Sequence, residues 1–208
     1  MKQKNVKSIT YKNLKLKIYL EVYEPSEDTY YLLESINVKK NQSVLELGTG
    51  CGLIAIECAR KAKNVVGTDI NPHAIECAKK NLELNKQKIN CLVDFRQGDL
   101  FKAVKKNEKF DIIIFNPPYL PTKSNEKING WLNMALDGGY DGLLITKKFL
   151  KNVLKYLKKN GKAYFVFSSL SNQKKLENII FSNNLKTKII TKKWFDIERI
   201  DIYCIINE

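Results

Sequence analysis

Short apolar runs alternate with amphipathic stretches along most of this chain. The apolar runs predict strands at Ser43–Leu47, Asn64–Asp69, Cys91–Arg96, Phe110–Phe115 and Lys162–Ser168. Because successive strand–helix units pair as parallel strands with right-handed crossovers, this order predicts a doubly wound α/β sheet of about seven strands. Two further strands, Lys188–Phe195 and Arg199–Ile206, have only a short turn between them, which predicts a C-terminal antiparallel hairpin.

The stretches between the strands have the apolar spacing of helices. They are Leu53–Lys61, Pro72–Asn85, Leu143–Leu157 and Asn172–Phe181. Residues 14–22 alternate apolar and polar side chains, which predicts one N-terminal strand. Residues 24–29 break this pattern, and a helix follows through Leu32, Leu33 and Ile36. Leu120–Tyr140 has little periodicity, and loops of this length are usually functional or disordered. We therefore expect a single domain over residues 1–208, with an N-terminal extension (1–42) and a core (43–208).

A glycine-rich turn, Glu46–Gly52, joins the first core strand to its helix. Gly48, Gly50 and Gly52 would let a ligand approach the backbone closely. Their spacing is Gly-x-Gly-x-Gly rather than Gly-x-Gly-x-x-Gly, and no Gly-Lys-Ser/Thr sequence follows, so the turn is not a P-loop. By itself, such a turn is equally compatible with a tight connection between a strand and a helix.

Polar side chains follow the next three core strands as well. Asp69 ends the second strand, Asp99 follows the third and Asn116 follows the fourth. Each could be a cap or turn residue when taken singly. Together they lie where open α/β sheets bind ligands, with Asp69 placed to hold ribose hydroxyls and Asp99 to accept from an adenine amino group. The set predicts a site for an adenosine with an amino-acid tail and no pyrophosphate, which is S-adenosylmethionine.

The fourth strand ends in Asn116-Pro117-Pro118-Tyr119. The asparagine supplies an acceptor oxygen, the prolines leave a backbone carbonyl without competing N–H donors, and the tyrosine supplies a ring. Such a corner suits chemistry on a planar amide or exocyclic amino group. We expect Asn116 and the Pro117 carbonyl to accept the two N–H groups of the substrate, and Tyr119 to stack on its plane. A plain strand-ending turn could also have this sequence.

With these motifs, the chain resembles class I methyltransferases, and among them the HemK-type protein-glutamine methyltransferases. The segments that carry the resemblance are Val22–Thr29, Glu46–Gly52, Asp69–Pro72, Asn116–Tyr119 and Ala135–Gly142. The Tyr-Glu-Pro-x-Glu-Asp-Thr sequence is most similar to the archaeal and eukaryotic branch, whose members methylate the Gly-Gly-Gln glutamine of class I release factors. The resemblance implies a Rossmann-like fold and this activity.

The resemblance also implies roles for individual residues and a partner. Cofactor contacts are expected from Thr29, Glu46, Gly48, Gly50, Gly52, Asp69, Asp99 and Leu100. Asn116 would touch both the methionine end of the cofactor and the substrate, and Pro117, Pro118 and Tyr119 would complete the substrate site. Besides the release factor, the implied partner is a small zinc-binding activator subunit that pairs along a sheet edge. We expect that edge at Asn90–Gln97, which contains several apolar residues.

Three other functions stay open at this point. Adenine amino groups of DNA or RNA present the same planar donors, although a flipped base would need a target-recognition region that the sequence does not suggest. A protein lysine is a further substrate, but a planar clamp suits a tetrahedral amine poorly. A cofactor-binding scaffold without activity is disfavoured because both halves of the site are present.

Composition limits the remaining chemistries. The chain has one histidine, His73, and five cysteines without a Cys-x-x-Cys pair, so neither a metal site nor a disulfide framework is expected. Its net charge is +14, but only three of its 36 basic residues are arginine, which favours a solvated lysine surface over a nucleic-acid groove. Non-specific attraction to RNA stays open. No leader or membrane span is visible, which predicts a cytoplasmic protein.

Overall fold

The computed structural model of this chain describes residues 6–208. Residues 1–5, on which part of the expectation about a leader rests, lie outside the described residues. The strands are β1 (Val6–Tyr11), β2 (Leu14–Tyr19), β3 (Ser43–Leu47), β4 (Asn64–Asp69), β5 (Val93–Gln97), β6 (Phe110–Phe115), β7 (Leu157–Ser168), β8 (Lys186–Phe195) and β9 (Glu198–Ile206). The helices are α1 (Glu27–Glu34), α2 (Leu53–Cys58), α3 (Pro72–Leu84), α4 (Trp131–Leu136), α5 (Leu144–Leu150), α6 (Val153–Tyr156) and α7 (Gln173–Ser182).

Seven strands form the central sheet, in the order β5-β4-β3-β6-β7-β9-β8. β9 runs antiparallel to both β7 and β8, and the other neighbours are parallel. The predicted sheet and its C-terminal hairpin are therefore confirmed. From β3 the chain proceeds to one side through β4 and β5, then returns to the other side with β6 and β7. The strand order thus reverses between β3 and β6, and this reversal creates a crevice at their carboxyl ends.

The middle strands are apolar on both faces because helices cover the sheet from both sides. In β6, Ile112 and Ile114 pack in one buried cluster, with residues of α2 and α3. Ile113 and Phe115 point the other way, into a second cluster with α5 and α7. Parallel strands buried in this way are short and mostly apolar, and β3, β4 and β6 have the bounds that the sequence predicted.

The N-terminal strand differs from its prediction. β2 ends at Tyr19 instead of continuing to Val22, and Leu20 is 68% exposed. The Val22 amide donates to the Tyr19 carbonyl at 3.0 Å, which closes a turn there. β2 also pairs with β1, which the sequence did not predict because β1 is mostly exposed and lacks a regular apolar pattern. The two strands form a separate hairpin. The boundary at residue 42 stays a prediction.

Two asparagine side chains, one in α3 and one directly after it, hydrogen-bond to the backbone of β2 as a neighbouring strand would. The Asn81 amide accepts from the Lys17 N–H at 2.7 Å and donates to the Lys17 carbonyl at 2.8 Å. Asn85, one turn later, accepts from the Lys15 N–H at 3.1 Å and donates to the Lys15 carbonyl at 2.7 Å. Asn81 also donates to the Cys51 carbonyl at 2.9 Å, so it joins the hairpin to the glycine-rich turn.

The predicted helix Leu143–Leu157 is wrong as a single element. α5 ends at Leu150, α6 covers only Val153–Tyr156, and β7 begins at Leu157. Leu157 fits the helical apolar spacing, but it pairs with Phe110 at the start of β6. Strand pairing at this position therefore overrides the local helical pattern. Between residues 6 and 208, no helix combines the length and apolarity needed to cross a membrane.

Candidate active site

A cavity of about 280 Å³ opens at the carboxyl ends of the parallel strands, at the reversal of strand order. It brings together nearly all the residues that the sequence singled out. Those that line it are Thr29, Glu46, Gly48, Gly50, Asp69, Asp99, Leu100, Asn116, Pro117, Pro118 and Tyr119. Gly52 is placed behind the cavity instead, where an added Cβ would lie 2.9 Å from the Ala78 Cβ of α3. That glycine permits close packing of α2 and α3.

Asp69 holds the glycine-rich turn in place. Its Oδ2 accepts from the Gly50 N–H at 2.8 Å, and its Oδ1 accepts from the Asn71 N–H at 2.9 Å. Gly50 has φ +54°, a left-handed conformation that glycine adopts without strain. Burial raises the pKa of the Asp69 carboxyl. A carboxylate oxygen has two lone pairs, so each oxygen of Asp69 can also accept from a ligand hydroxyl.

Glu46 is buried beneath the same turn. Its Oε2 accepts from the Thr49 hydroxyl at 2.5 Å and from the Ala55 N–H at 2.9 Å, at the start of α2. Burial raises the pKa of the Glu46 carboxyl to about 8. Glu46 therefore stabilises the glycine-rich turn through these two hydrogen bonds, and it also lines the cavity.

The turn after β5 forms another wall of the cavity. Asp99 lies there with an ion pair to Lys102, at 3.0 Å. Leu100 has φ +50°, which is unusual for a residue with a side chain. The Thr68 hydroxyl donates to the Leu100 carbonyl at 3.3 Å and supports this conformation. Strained backbone of this kind clusters at active sites and ligand-binding segments.

Asp28 is the centre of a hydrogen-bond network that sequence reasoning missed. Its Oδ2 accepts from Asn116 Nδ2 and from the Tyr119 hydroxyl, each at 2.9 Å. Its Oδ1 accepts from the Thr29 N–H at 2.6 Å and from the Tyr23 hydroxyl at 3.3 Å. The only sequence signal was its place within the Tyr-Glu-Pro-x-Glu-Asp-Thr segment, because its main partner, Asn116, is 88 residues away.

Asn116 Oδ1 is buried and has no hydrogen-bond partner among the described residues. The nitrogen of the same amide donates to Asp28, and it also lies 3.3 Å from the Thr29 hydroxyl oxygen. A buried acceptor without a partner costs about 1–3 kcal/mol, so its presence in a residue that lines the cavity indicates a donor supplied by a ligand. Burial, and then the charge of Asp28, raise the pKa of the Tyr119 hydroxyl, which therefore stays a neutral donor.

Tyr119 is also held through its backbone. The Ser171 hydroxyl donates to the Tyr119 carbonyl at 2.6 Å. A Cβ on Gly142 would lie 2.4 Å from the same carbonyl oxygen, so only glycine fits there. The four-residue corner after β6 is thus supported by the chain on both sides of α5.

Comparisons with known proteins agree with this geometry. The model of the family described as methyltransferase small domain matches residues 25–134. A Methanocaldococcus jannaschii protein with the provisional name protein N5-glutamine methyltransferase is 46% identical, over 87% of this chain and 89% of its own length.

The chain belongs to the methyltransferase small domain family.

Other relatives of this methyltransferase have similar names. The Lactococcus lactis release factor glutamine methyltransferase is 33% identical over 74% of this chain, which spans only 58% of that relative. The human methyltransferase HEMK2 is 29% identical, over 81% of each chain. Among solved structures, a chain of the E. cuniculi Mtq2–Trm112 complex, described as responsible for methylation of the termination factor eRF1, matches 91% of this chain with a TM-score of 0.67 and 22% identity. That match shows the class I methyltransferase fold.

The protein is an S-adenosylmethionine-dependent methyltransferase, as the sequence predicted. Its cavity fits this cofactor, because the acids Asp69 and Asp99 lie at one part of the wall and the unpaired acceptor of Asn116 at another. The individual contacts stay predictions. Among residues 6–208, no group of three or more His, Cys, Asp or Glu side chains could hold a metal ion.

The aperiodic segment Leu120–Tyr140 forms another wall of the methyltransferase cavity. It contains α4, and Trp131 and Met134 of that helix line the cavity. The helix is tied to the N-terminal region, because Glu21 Oε2 accepts from the Trp131 N–H at 3.0 Å. Sequence periodicity could not reveal α4, which has only six residues.

Proposed function

We propose that this methyltransferase methylates the side-chain amide nitrogen of a protein glutamine, in the Gly-Gly-Gln sequence of a class I release factor. The observation that carries the proposal is the buried, unpaired Oδ1 of Asn116, a residue that lines the cavity. A glutamine amide offers two N–H donors in one plane, and one of them suits this acceptor. The names of the relatives, which refer to glutamine or release factors, support the same substrate.

The amide nitrogen of glutamine is a weak nucleophile, because its lone pair is delocalised into the carbonyl. Hydrogen bonds from its two N–H groups to Asn116 Oδ1 and the Pro117 carbonyl would orient the nitrogen and stabilise the positive charge that develops on it. Tyr119 would pack against the amide plane. These interactions need no side chain that acts as a strong base.

When bound, S-adenosylmethionine would supply an electrophilic methyl group on a positively charged sulfur, and the sulfur would keep the electron pair of the broken carbon–sulfur bond. Asn116 and the Pro117 carbonyl would hold the substrate nitrogen toward that methyl group, to which the nitrogen would form the new bond. The substrate nitrogen then loses its extra proton to water. Because the protein contributes orientation and charge stabilisation, loss of Asn116 should affect turnover far more than cofactor binding.

The test is transfer of a labelled methyl group to the organism's release factor, to the same factor with its Gly-Gly-Gln glutamine changed to alanine, and to duplex DNA. We expect label on the first alone. Asn116→Ala should lower turnover by about 100-fold or more while the cofactor Kd changes by less than about threefold. Label on DNA, or equal label on both protein forms, would contradict glutamine as the substrate and favour a base or a lysine.

The free edge at β5 is the place where we propose that a small activator subunit binds. The Leu92 carbonyl accepts from β4 at 3.0 Å and the Gly98 amide donates to β4 at 2.8 Å. Backbone groups alternate along a strand, so those of Val93, Phe95 and Gln97 face away from the sheet. Leu92 is 85% exposed beside them. An added strand could pair with this edge.

The opposite edge of the sheet, β8, is less suited to strand addition. It contains Lys186, Lys188, Lys192 and Lys193. Its register with β9 shifts between Ile189 and Thr191. Charged side chains and irregular register are the usual protection of an exposed edge. β5 is therefore the better site for the partner.

A further inference from the structure

We infer that Asp28 is a positioning residue that decides which end of the Asn116 amide faces the substrate. The two ends of an asparagine amide have nearly the same shape but opposite hydrogen-bonding character. Only the orientation with Oδ1 toward the cavity lets Asn116 accept from a substrate N–H. This inference rests on the proposed function of the same site, and it adds the residue that makes Asn116 an acceptor.

Two side chains contact Asn116 Nδ2, and they constrain it differently. The Thr29 hydroxyl oxygen lies 3.3 Å from Asn116 Nδ2 and the hydroxyl donates to Asp28 Oδ1 at 3.2 Å, but it can rotate to donate to a flipped Asn116, so on its own it does not fix the orientation. The Asp28 carboxylate, at 2.9 Å, can only accept. A flipped Asn116 would place its carbonyl oxygen against a carboxylate oxygen, where the two repel. Asp28 is therefore the group that selects the orientation.

The carboxylate itself cannot turn away, because donors hold both of its oxygens. The Thr29 N–H, in the first turn of α1, donates to Oδ1 at 2.6 Å, and the Tyr23 hydroxyl lies 3.3 Å from the same oxygen. The Tyr119 hydroxyl donates to Oδ2 at 2.9 Å. With Asp28 only 6% exposed, this network places one carboxylate oxygen firmly beside Asn116.

Asp28→Asn is a sharp test, because the structure predicts which way the new amide would turn. The Thr29 N–H is a backbone donor that cannot rotate, so the oxygen of the new amide must face it. The new NH₂ group then faces Asn116, which turns its own oxygen toward it. Asn116 Nδ2 would consequently point into the cavity and meet the substrate N–H as a second donor.

We would measure turnover, cofactor Kd and the hydrogen exchange of the Asn116 side-chain NH₂ by NMR, assigned by the loss of its signals in Asn116→Ala. In the wild type these protons should exchange slowly, because they are buried against Asp28. In Asp28→Asn they should exchange faster, and turnover should fall by about 10- to 100-fold with a cofactor Kd within about twofold. Glu27→Gln, an exposed carboxyl next to Asp28, is the matched control and should match the wild type.

The double variant separates positioning from general damage. In the Asn116→Ala background, Asp28→Asn should lower turnover by less than about twofold, because no amide is left to orient. An equal loss in both backgrounds, or fast NH₂ exchange in the wild type, would overturn the inference. The exchange measurement needs no substrate and no variant at Asp28. A wild-type protein that methylates no glutamine but shows slow exchange would therefore contradict the proposed function alone.

Discussion

At the scale of single residues, the two acids around the glycine-rich turn illustrate how burial changes a carboxyl group. Asp69 and Glu46 both accept backbone N–H groups, which stabilise the charged form. Burial outweighs those bonds and raises the pKa of both carboxyls, that of Glu46 to about 8. Near neutral pH, Glu46 therefore retains a proton that it would lose in the unfolded chain, where its ordinary pKa is 4.5.

This difference predicts a pH dependence of stability. Between about pH 4.5 and 8 the folded protein holds one more proton at Glu46 than the unfolded chain, so the free energy of unfolding should fall as pH rises through this window. Glu46→Gln mimics the protonated form and should flatten that fall, which denaturant unfolding at a series of pH values would measure. The exposed Glu34→Gln provides the reference slope. Parallel slopes for wild type and Glu46→Gln would contradict the prediction.

Residues of the site could be predicted from the sequence where the signal lies within a few neighbouring residues. Asn116 and Tyr119 follow a buried strand in a distinctive tetrapeptide, and Asp69 follows another strand. Asp28 was not predictable, because its role depends on contacts across 88 and 91 residues. Gly52 shows the opposite case, since the sequence pattern predicted a cofactor contact for it, whereas in the structure it does not line the cavity.

At the scale of elements, α3 supports the site from behind. Asn81 is fully buried and satisfies both backbone groups of Lys17 as well as the Cys51 carbonyl of the glycine-rich turn. One side chain thus connects a helix, the N-terminal hairpin and the glycine-rich turn. Side-chain amides can do this because they carry the same donor and acceptor groups as the backbone.

Asn81→Ala should therefore lower the free energy of unfolding by about 1–3 kcal/mol, because buried backbone groups lose their partners. It should also weaken cofactor binding, since the Cys51 carbonyl is no longer held. Denaturant unfolding and calorimetric titration would measure the two effects. Asn90→Ala, at an exposed asparagine that donates to the Arg60 carbonyl, is the control. Unchanged stability in Asn81→Ala would show that this connection is not needed.

The elements that sequence predicted best are those buried on both faces. β3, β4 and β6 had the predicted bounds, because each is a short segment of mostly apolar, buried residues, which is typical of a central parallel strand. β1 was missed since its side chains are mostly exposed. α5 and α6 were merged because Leu157 satisfies a helical spacing while its actual partner, Phe110, is distant in sequence.

At the scale of the whole molecule, the sheet has one protected edge and one open edge. The lysines that contribute to the net charge of +14 include those on β8, where they discourage pairing. Within residues 6–208, β5 has five residues and only one lateral neighbour, β4. The positive charge thus affects which edge of the sheet can pair with a partner strand. Attraction of the charged surface to RNA stays a prediction.

Val93→Pro tests the open edge. The Val93 N–H faces away from the sheet, so a proline there should leave the sheet intact but remove a donor that a partner strand would use. We expect binding of the activator subunit to weaken by about tenfold or more, with a thermal midpoint close to that of the wild type. Asp94→Pro, one residue on, removes an inward N–H and should destabilise the protein itself. Full partner binding by Val93→Pro would place the interface elsewhere.

The support of Tyr119 has a consequence for synthesis of the protein. Its hydroxyl partner, Asp28, lies 91 residues earlier, but the serine that holds its carbonyl comes 52 residues later. Since ribosomes make the chain from its N-terminus, every residue of the tetrapeptide is synthesised well before Ser171. A nascent chain that stops in this interval has the residues of the proposed substrate site without this hydrogen bond. We therefore expect methylation competence to arise late in translation, once Ser171 has been made.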